Sequence, residues 1–152
     1  MKILLLDDDM LRVDWFLRQL WPNFVYVCQT VEQAITALKS VRFDAIFLDH
    51  DLKISHYQIY HDCVENSNTS VARIDKFDNE TGYAVAKFLA ENLMISPFAH
   101  IYIHSQNSFQ AKRMKQVLRD KRPCVLVPYN RPSLFTGVFQ HLCGTEFDRN
   151  KS

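Results

Sequence analysis

Five short apolar runs alternate with segments of helical periodicity along this chain, and few architectures accommodate that alternation. Lys2–Leu6 is a continuous apolar run that meets aspartates at its end, the pattern of a strand buried on both faces. Met10–Trp21 then carries apolar residues at Leu11, Trp15, Leu17 and Leu20, a helical spacing that Pro22-Asn23 stops. Phe24–Cys28 reads as a second strand, and Thr30 is placed to cap a helix over Val31–Lys39 with Ala34, Ile35 and Leu38 inward. Phe43–Leu48 is a third strand, ending at Asp49-His50-Asp51. Helical spacing returns over Glu80–Leu93, with Val85, Phe88, Leu89 and Leu93 inward. Ala99–His104 is a fourth strand, Phe109–Arg119 a helix and Cys124–Val127 a fifth strand. Ser133–Leu142 makes the last helix, with Gly144 to end it. The pattern predicts an α/β, doubly wound fold: one five-stranded parallel sheet with helices on both faces.

Residues 1–152 read as a single domain, and 47% apolar composition suffices for one core. The polar stretch 53–78 is too long for an ordinary connection of about 4–6 residues. It reads as an insertion after strand three that could form a lid. Its His56, His61 and Cys63 fit no standard metal spacing. Cys28, Cys63, Cys124 and Cys143 lie far apart, so neither a zinc knuckle nor a disulfide framework is expected. Net charge is +1, which gives no global attraction for nucleic acid. No apolar run approaches the roughly 20 residues that span a bilayer, so no membrane association is expected. Met1–Leu6 has the look of a signal peptide but runs straight into Asp7-Asp8-Asp9, which a secretory core would not tolerate. A cytoplasmic location is the expectation.

In an open α/β sheet, ligands bind beyond the carboxyl ends of the strands where strand order reverses. Asp7, Asp8 and Asp9 follow strand one; Asp49, His50 and Asp51 follow strand three; His104, Ser105 and Asn107 follow strand four. Ionisable side chains from three distant segments therefore collect at one sheet edge. Two like charges at 4 Å repel by about 4 kcal/mol at an effective dielectric of 20. A divalent cation removes that cost, and oxygen ligands favour Mg2+, or Mn2+. Asp7, Asp8, Asp49 and Asp51 are the candidate metal ligands, while Asp9 is best placed to cap the following helix.

These residues resemble a known pattern. Leu6-Asp7-Asp8 and Phe43–Asp49 are similar to the receiver domains of two-component response regulators. The closer resemblance is to a divergent group, the cyclic-phosphate processing receiver domains. It is carried by Leu6-Asp7-Asp8 with Arg12, Leu48-Asp49-His50-Asp51-Leu52, Thr81-Gly82-Tyr83 and His104-Ser105-Gln106-Asn107 with Ala111-Lys112-Arg113-Met114. Apart from the insertion, it extends to about residue 130. The resemblance implies receiver/flavodoxin-like strand order 2-1-3-4-5 and a divalent metal on Asp7, Asp8 and Asp49. It also implies a role in processing cyclic phosphates on nucleotides or RNA ends. One departure matters: signalling receivers carry a lysine after strand five, where this chain reads Val127-Pro128-Tyr129-Asn130-Arg131-Pro132. Arg131 is then the nearest substitute, and a planar fork is not equivalent to a point charge.

Asp49 is either a phosphoryl acceptor or a metal ligand, and the missing lysine favours the ligand. His104 is the candidate general acid or base, or else a histidine bonded to a neighbouring carboxylate. His50 should point away from its flanking aspartates by strand alternation. Ser105 and Asn107 either hold a phosphate oxygen or cap the next helix, and the two roles are compatible at a helix N-terminus. Thr81 and Gly82 open another helix on the same rim, and Arg12 and Arg113 complete the candidate substrate-binding set.

Three functions compete. The first is a metal-dependent phosphoesterase acting on a cyclic phosphate, either a cyclic nucleotide or a 2′,3′-cyclic RNA end. The second is a signalling receiver phosphorylated on Asp49. The third is a non-catalytic module that binds a nucleotide or protein, with the insertion as a partner surface. They rank in that order, with a small phosphorylated ligand expected throughout and no pattern that bears on oligomeric state.

Overall fold

The computed structural model describes residues 1–53, 77–127 and 132–147. The proposed lid over 53–78, with His56, His61 and Cys63, and the Arg131 substitution therefore lie almost wholly outside the described residues. Chain order is β1 (Lys2–Leu6), α1 (Met10–Leu20), β2 (Phe24–Cys28), α2 (Val31–Ser40), β3 (Ala45–Leu48), and a short 3-10 turn (Asp78–Glu80). It continues with α3 (Gly82–Glu91), β4 (His100–Ile103), α4 (Ser108–Leu118), β5 (Cys124–Leu126) and α5 (Pro132–Phe147). The five strands form one parallel sheet in the order β2-β1-β3-β4-β5.

Burial explains the strand sequences. Ile3–Leu6 and all of β3 are inaccessible to solvent because helices cover both faces of the central strands. Leu4, Leu6, Ile46 and Leu48 meet Ala34, Leu38, Val85, Leu89, Met114 and Leu118 of α2, α3 and α4 on one face. Ile3, Leu5, Ala45 and Phe47 meet Val13, Phe16 and Leu20 of α1 and Phe135, Phe139 and Leu142 of α5 on the other. Trp15, Phe16, Phe135 and Phe139 pack largely edge to face there, with centroids 5.2–6.2 Å apart.

Caps fall where the sequence placed them. Asp9 accepts from the Leu11 and Arg12 amides, and the Thr30 hydroxyl accepts from Gln33 N at 3.2 Å. Three helical details differ from expectation. The buried face of α1 is Val13, Phe16 and Leu20, while Leu11 is 85% exposed and Leu17 is also exposed. Leu11 sits in the first turn beside the Asp9 cap, at the rim of the sheet rather than over it. In α3 the helix ends at Glu91, so Leu93 falls beyond it and is half exposed; Ala86 and Ala90 complete its inner face. Finally, α5 continues through Gly144 to Phe147.

The connection from α3 to β4 is clamped from below. Arg122, buried just ahead of β5, donates to Ile95 O at 2.7 Å and to Ser96 O. Ser96 has a φ of 44° and its hydroxyl accepts from Phe43 N at 2.9 Å. Among the described residues no helix is long and apolar enough to cross a membrane.

Candidate metal and phosphate site

The parallel register sets Leu6, Leu48 and Ile103 side by side, and the ladder runs one residue further on each strand. Asp49 N donates to Leu6 O and His104 N to Leu48 O, each at 3.0 Å. Asp7, Asp49 and His104 are thus neighbours by construction. Since Leu6 and Leu48 face α2–α4, strand alternation turns all three toward the α1 and α5 side. One potential ligand atom from each lies within 4.8 Å of the others, and all three residues are buried.

Arg12 binds this cluster together. Its Nε donates to Asp7 Oδ2 at 2.9 Å and its Nη2 to Asp7 Oδ1 at 2.8 Å. The same Nη2 reaches Asp49 Oδ2 at 2.5 Å. Asp49 Oδ1 is held at 2.7 Å by the His50 amide. The His104 Nε2–H donates to Asp7 Oδ2 at 3.1 Å, and its ring packs edge-on against Phe16 at 4.8 Å. Its Nδ1 is buried with no hydrogen-bond partner among the described residues.

The electrostatics divide the carboxylates. Burial alone would raise Asp7, but hydrogen bonds from His104 and Arg12 overcome it and hold the group below its ordinary value. Burial pushes Asp49 up, with Asp7 and Asp51 adding to the rise against His104 and Arg12. Burial, then the charges of Asp49 and Asp7, also raise Asp8. For Arg12, burial lowers and the Asp7 and Asp49 carboxylates more than restore, leaving it above its usual value. One guanidinium therefore faces more carboxylate charge than it neutralises.

A cleft of about 610 Å³ opens over the cluster, lined in part by Asp8, Asp49, Asp51 and Arg12. Asp7 and His104 lie behind that lining. The remaining candidates separate from it. Ser105 and Asn107 are buried in the turn before α4, where Ser105 Oγ accepts from Asn107 N and Asn107 Oδ1 caps the helix through Gln110 N, both at 3.2 Å. Thr81 Oγ1 donates to Asp78 O at 3.1 Å. Gly82 packs against the site's backbone: a Cβ there would stand 1.8 Å from Asp49 O, and Gly82 N donates to His50 O at 3.0 Å. Arg113 forks onto Asp78 at 3.1 and 2.9 Å and lies 4.6 Å over the Tyr83 ring. Its charge ties α4 to the returning end of the insertion. His50 does not turn away from both aspartates: its Nδ1 lies 2.8 Å from Asp51 Oδ1. Met10, Leu11, Lys53 and Gln106 also line the cleft and were not singled out as site residues. The start of α1 immediately after Asp9 was the available signal for the first two.

The donor set fits a hard divalent cation. Asp8 and Asp49 line the cleft and Asp7 stands directly behind; burial first, and neighbouring carboxylate charge after it, raise Asp8 and Asp49, and added positive charge would offset both. Two carboxylates about 4 Å from such an ion would each gain on the order of 8 kcal/mol of gross attraction at an effective dielectric of 20.

Strand order, doubly wound helices and an acidic rim at the β1/β3 switch point define a receiver-type domain. Similar solved structures include a CheY-like response regulator receiver domain from Methanospirillum hungatei, 14% identical, covering 97% of each chain at a TM-score of 0.58. Another is the response regulator TrrA of Thermotoga maritima, solved with Mg2+ and beryllium fluoride: 15% identical, 90% of this chain and 95% of that one, TM-score 0.55. A Burkholderia pseudomallei response regulator with a phosphorylated aspartic acid and a calcium ion is 13% identical, covering 98% and 74%, TM-score 0.55. At such identities the likeness speaks to the fold. No curated protein sequence matches this chain. A family model matches residues 2–120, and this chain belongs to the cyclic-phosphate processing receiver domains.

Proposed function

We propose that this domain is a phosphoesterase dependent on Mg2+ or Mn2+ that opens a cyclic phosphate, on a cyclic nucleotide or a 2′,3′-cyclic RNA end. The observation that carries the reading is the convergence of Asp7, Asp49 and His104, one ligand atom of each within 4.8 Å of the others, at a cleft lined by Asp8, Arg12 and Asp49 itself. Asp7, Asp8 and Asp49 would hold the cation, with Asp51 beside them. A bound cation would supply charge stabilisation at the phosphoryl oxygens and lower the pKa of a coordinated water.

The chain's own groups divide the remaining work. His104 is buried behind the cleft and acts as a positioning residue: its Nε2–H fixes the Asp7 carboxylate. Asp8 lines the cleft with Asp49 and Asp51, on the side from which water and ligand enter. In the overall reaction a water oxygen bonds to phosphorus and one P–O ester bond breaks. The departing oxygen ends as a hydroxyl and the product is a monoester.

A signalling role through Asp49 has one observation in its favour, the placement of that carboxylate at the β3 end on the cleft wall. Against attack by Asp49, one oxygen is fixed by the His50 amide and the other by Arg12. Phosphorus NMR on a panel of 2′,3′- and 3′,5′-cyclic nucleotides and cyclic-ended oligonucleotides, with and without Mg2+, separates the two. Cyclic-phosphate signals that convert to monoester signals only with metal support hydrolysis. An intact panel, together with an acid-stable, base-labile phosphoryl adduct after treatment with a small phosphodonor, would move the assignment to signalling.

A further inference from the structure

Arg12 occupies the position from which a cation would address Asp49. Of that carboxylate's two oxygens, Oδ1 accepts from the His50 amide, and Oδ2 accepts from Arg12 Nη2 at 2.5 Å. Asp7 is held differently, by Nε on both oxygens at 3.2 and 2.9 Å and by Nη2 on Oδ1 at 2.8 Å. The guanidinium is thus attached to Asp7 through both Nε and Nη2, and to Asp49 through Nη2 alone. It also lines the cleft, with its side chain 16% exposed.

Resting on the metal-dependent reading above, we infer that Arg12 is an internal cation that a divalent metal displaces from Asp49, and that the displaced guanidinium then grips the ligand's phosphate. Two like charges cannot share Asp49 Oδ2 at contact distance, so an arriving metal repels Nη2 while competing for its acceptor. The Nε bond to Asp7 is a pivot that keeps the group at the cleft wall during the exchange. Guanidinium has five N–H donors in a planar fork, a geometry that matches paired phosphate oxygens. Without metal the same contact neutralises part of the buried charge, which lets the acidic rim fold.

Thermodynamic reciprocity follows. Metal binding is weakened by the contact it must break, and phosphate offers Arg12 a new partner, so metal and phosphate each tighten the other's binding. One substitution of this residue then has opposite signs on the two ligands.

Calorimetric titration of Mn2+ into the whole chain and into Arg12→Gln, with and without inorganic phosphate, reads this directly. Arg12→Gln is expected to bind Mn2+ about tenfold more tightly than the native chain when phosphate is absent. Phosphate is expected to tighten Mn2+ about fivefold in the native chain and not at all in the variant. Equal Mn2+ affinity in both chains, or equal tightening by phosphate, overturns the inference and leaves the metal site standing. No Mn2+ binding by either chain removes the metal site and the inference together. Should Arg12→Gln fail to fold, the nitrogen signal of Arg12 Nε in the native chain, assigned by its loss in Arg12→Lys, gives the same answer. Saturating Mg2+ with phosphate must shift that signal; an unchanged signal in the metal-loaded chain contradicts the exchange.

Discussion

Two arginines, Arg12 half-buried at one rim of the sheet and Arg122 buried at the other, are drawn out of water by the same fold for opposite ends. At the carboxyl rim Arg12 is pinned by Asp7 and Asp49, and their charge keeps it above its usual pKa despite burial. At the amino rim Arg122 meets only backbone carbonyls among the contacts seen, those of Ile95 and Ser96, and burial lowers it. Arg122 closes a loop, and its partners are chain atoms that every fold must satisfy somewhere. The Arg12 partners are side-chain charges that the fold has no structural need to bury. Charge gathered without structural need, at the switch point of an α/β sheet, is what separates a working rim from a supporting one.

The comparison is broken most sharply at Asp49. Removing one ligand of a charge-stabilising cation costs several kcal/mol of transition-state stabilisation, so Asp49→Ala should lower cyclic-phosphate turnover by about three orders of magnitude. It should also abolish the rise in melting temperature produced by Mg2+. Gly82→Ala comes next. Its new Cβ would sit 1.8 Å from Asp49 O, a backbone atom that cannot rotate away, and overpacking of that kind costs about 3 kcal/mol in chemical denaturation. Arg122→Met leaves the half-buried Ile95 carbonyl without its donor and Ser96 O with Ala99 N alone, and should cost about 2 kcal/mol. Its Mg2+ response should match the native chain. A supporting-rim substitution that erased the Mg2+ response would dissolve the distinction between the rims.

The smallest effect is on pH dependence. Asp7 is held below the ordinary carboxylate value, so it contributes stability above that ordinary value, which is lost as pH falls through its lowered folded value. Asp49 and Asp8 are raised, so their ionisation costs stability as pH rises through the carboxylate range, and acid relieves that cost. A cation needs both ionised. Stabilisation by Mg2+ should therefore be larger at pH 7 than at pH 5 in paired thermal unfolding curves. The opposite slope would contradict the assignment of these carboxylates to the metal.

The sheet was legible because each strand is a short apolar run with a polar end, and the polar ends fix which side chains meet. Asp7, Asp49 and His104 were found that way, as were the caps Asp9 and Thr30. Helix faces were less legible where apolar residues fall on more than one face. In α1, Leu11 and Trp15 are spaced as a helical pair just as Val13 and Phe16 are, yet Leu11 is exposed and Trp15 packs only at the margin of the core, while the second pair is buried against the sheet. Side-chain roles were least legible. Arg113 and Thr81 suit a phosphate by residue type, but the partner that holds both, Asp78, follows the long insertion and no local spacing reveals it. Gly82 carries a signal for closeness, yet what it approaches is the Asp49 backbone. Arg122 carries no signal at all, since a lone arginine before a strand looks solvated.

Paramagnetic broadening by Mn2+ of the amide signals tests the central claim most directly. At substoichiometric Mn2+ the account predicts loss of signals from Asp7–Asp9, Asp49–Asp51 and His104–Gln106, with Ser96, His100 and Arg122 left sharp. Broadening centred on the amino rim, or none anywhere, would contradict it.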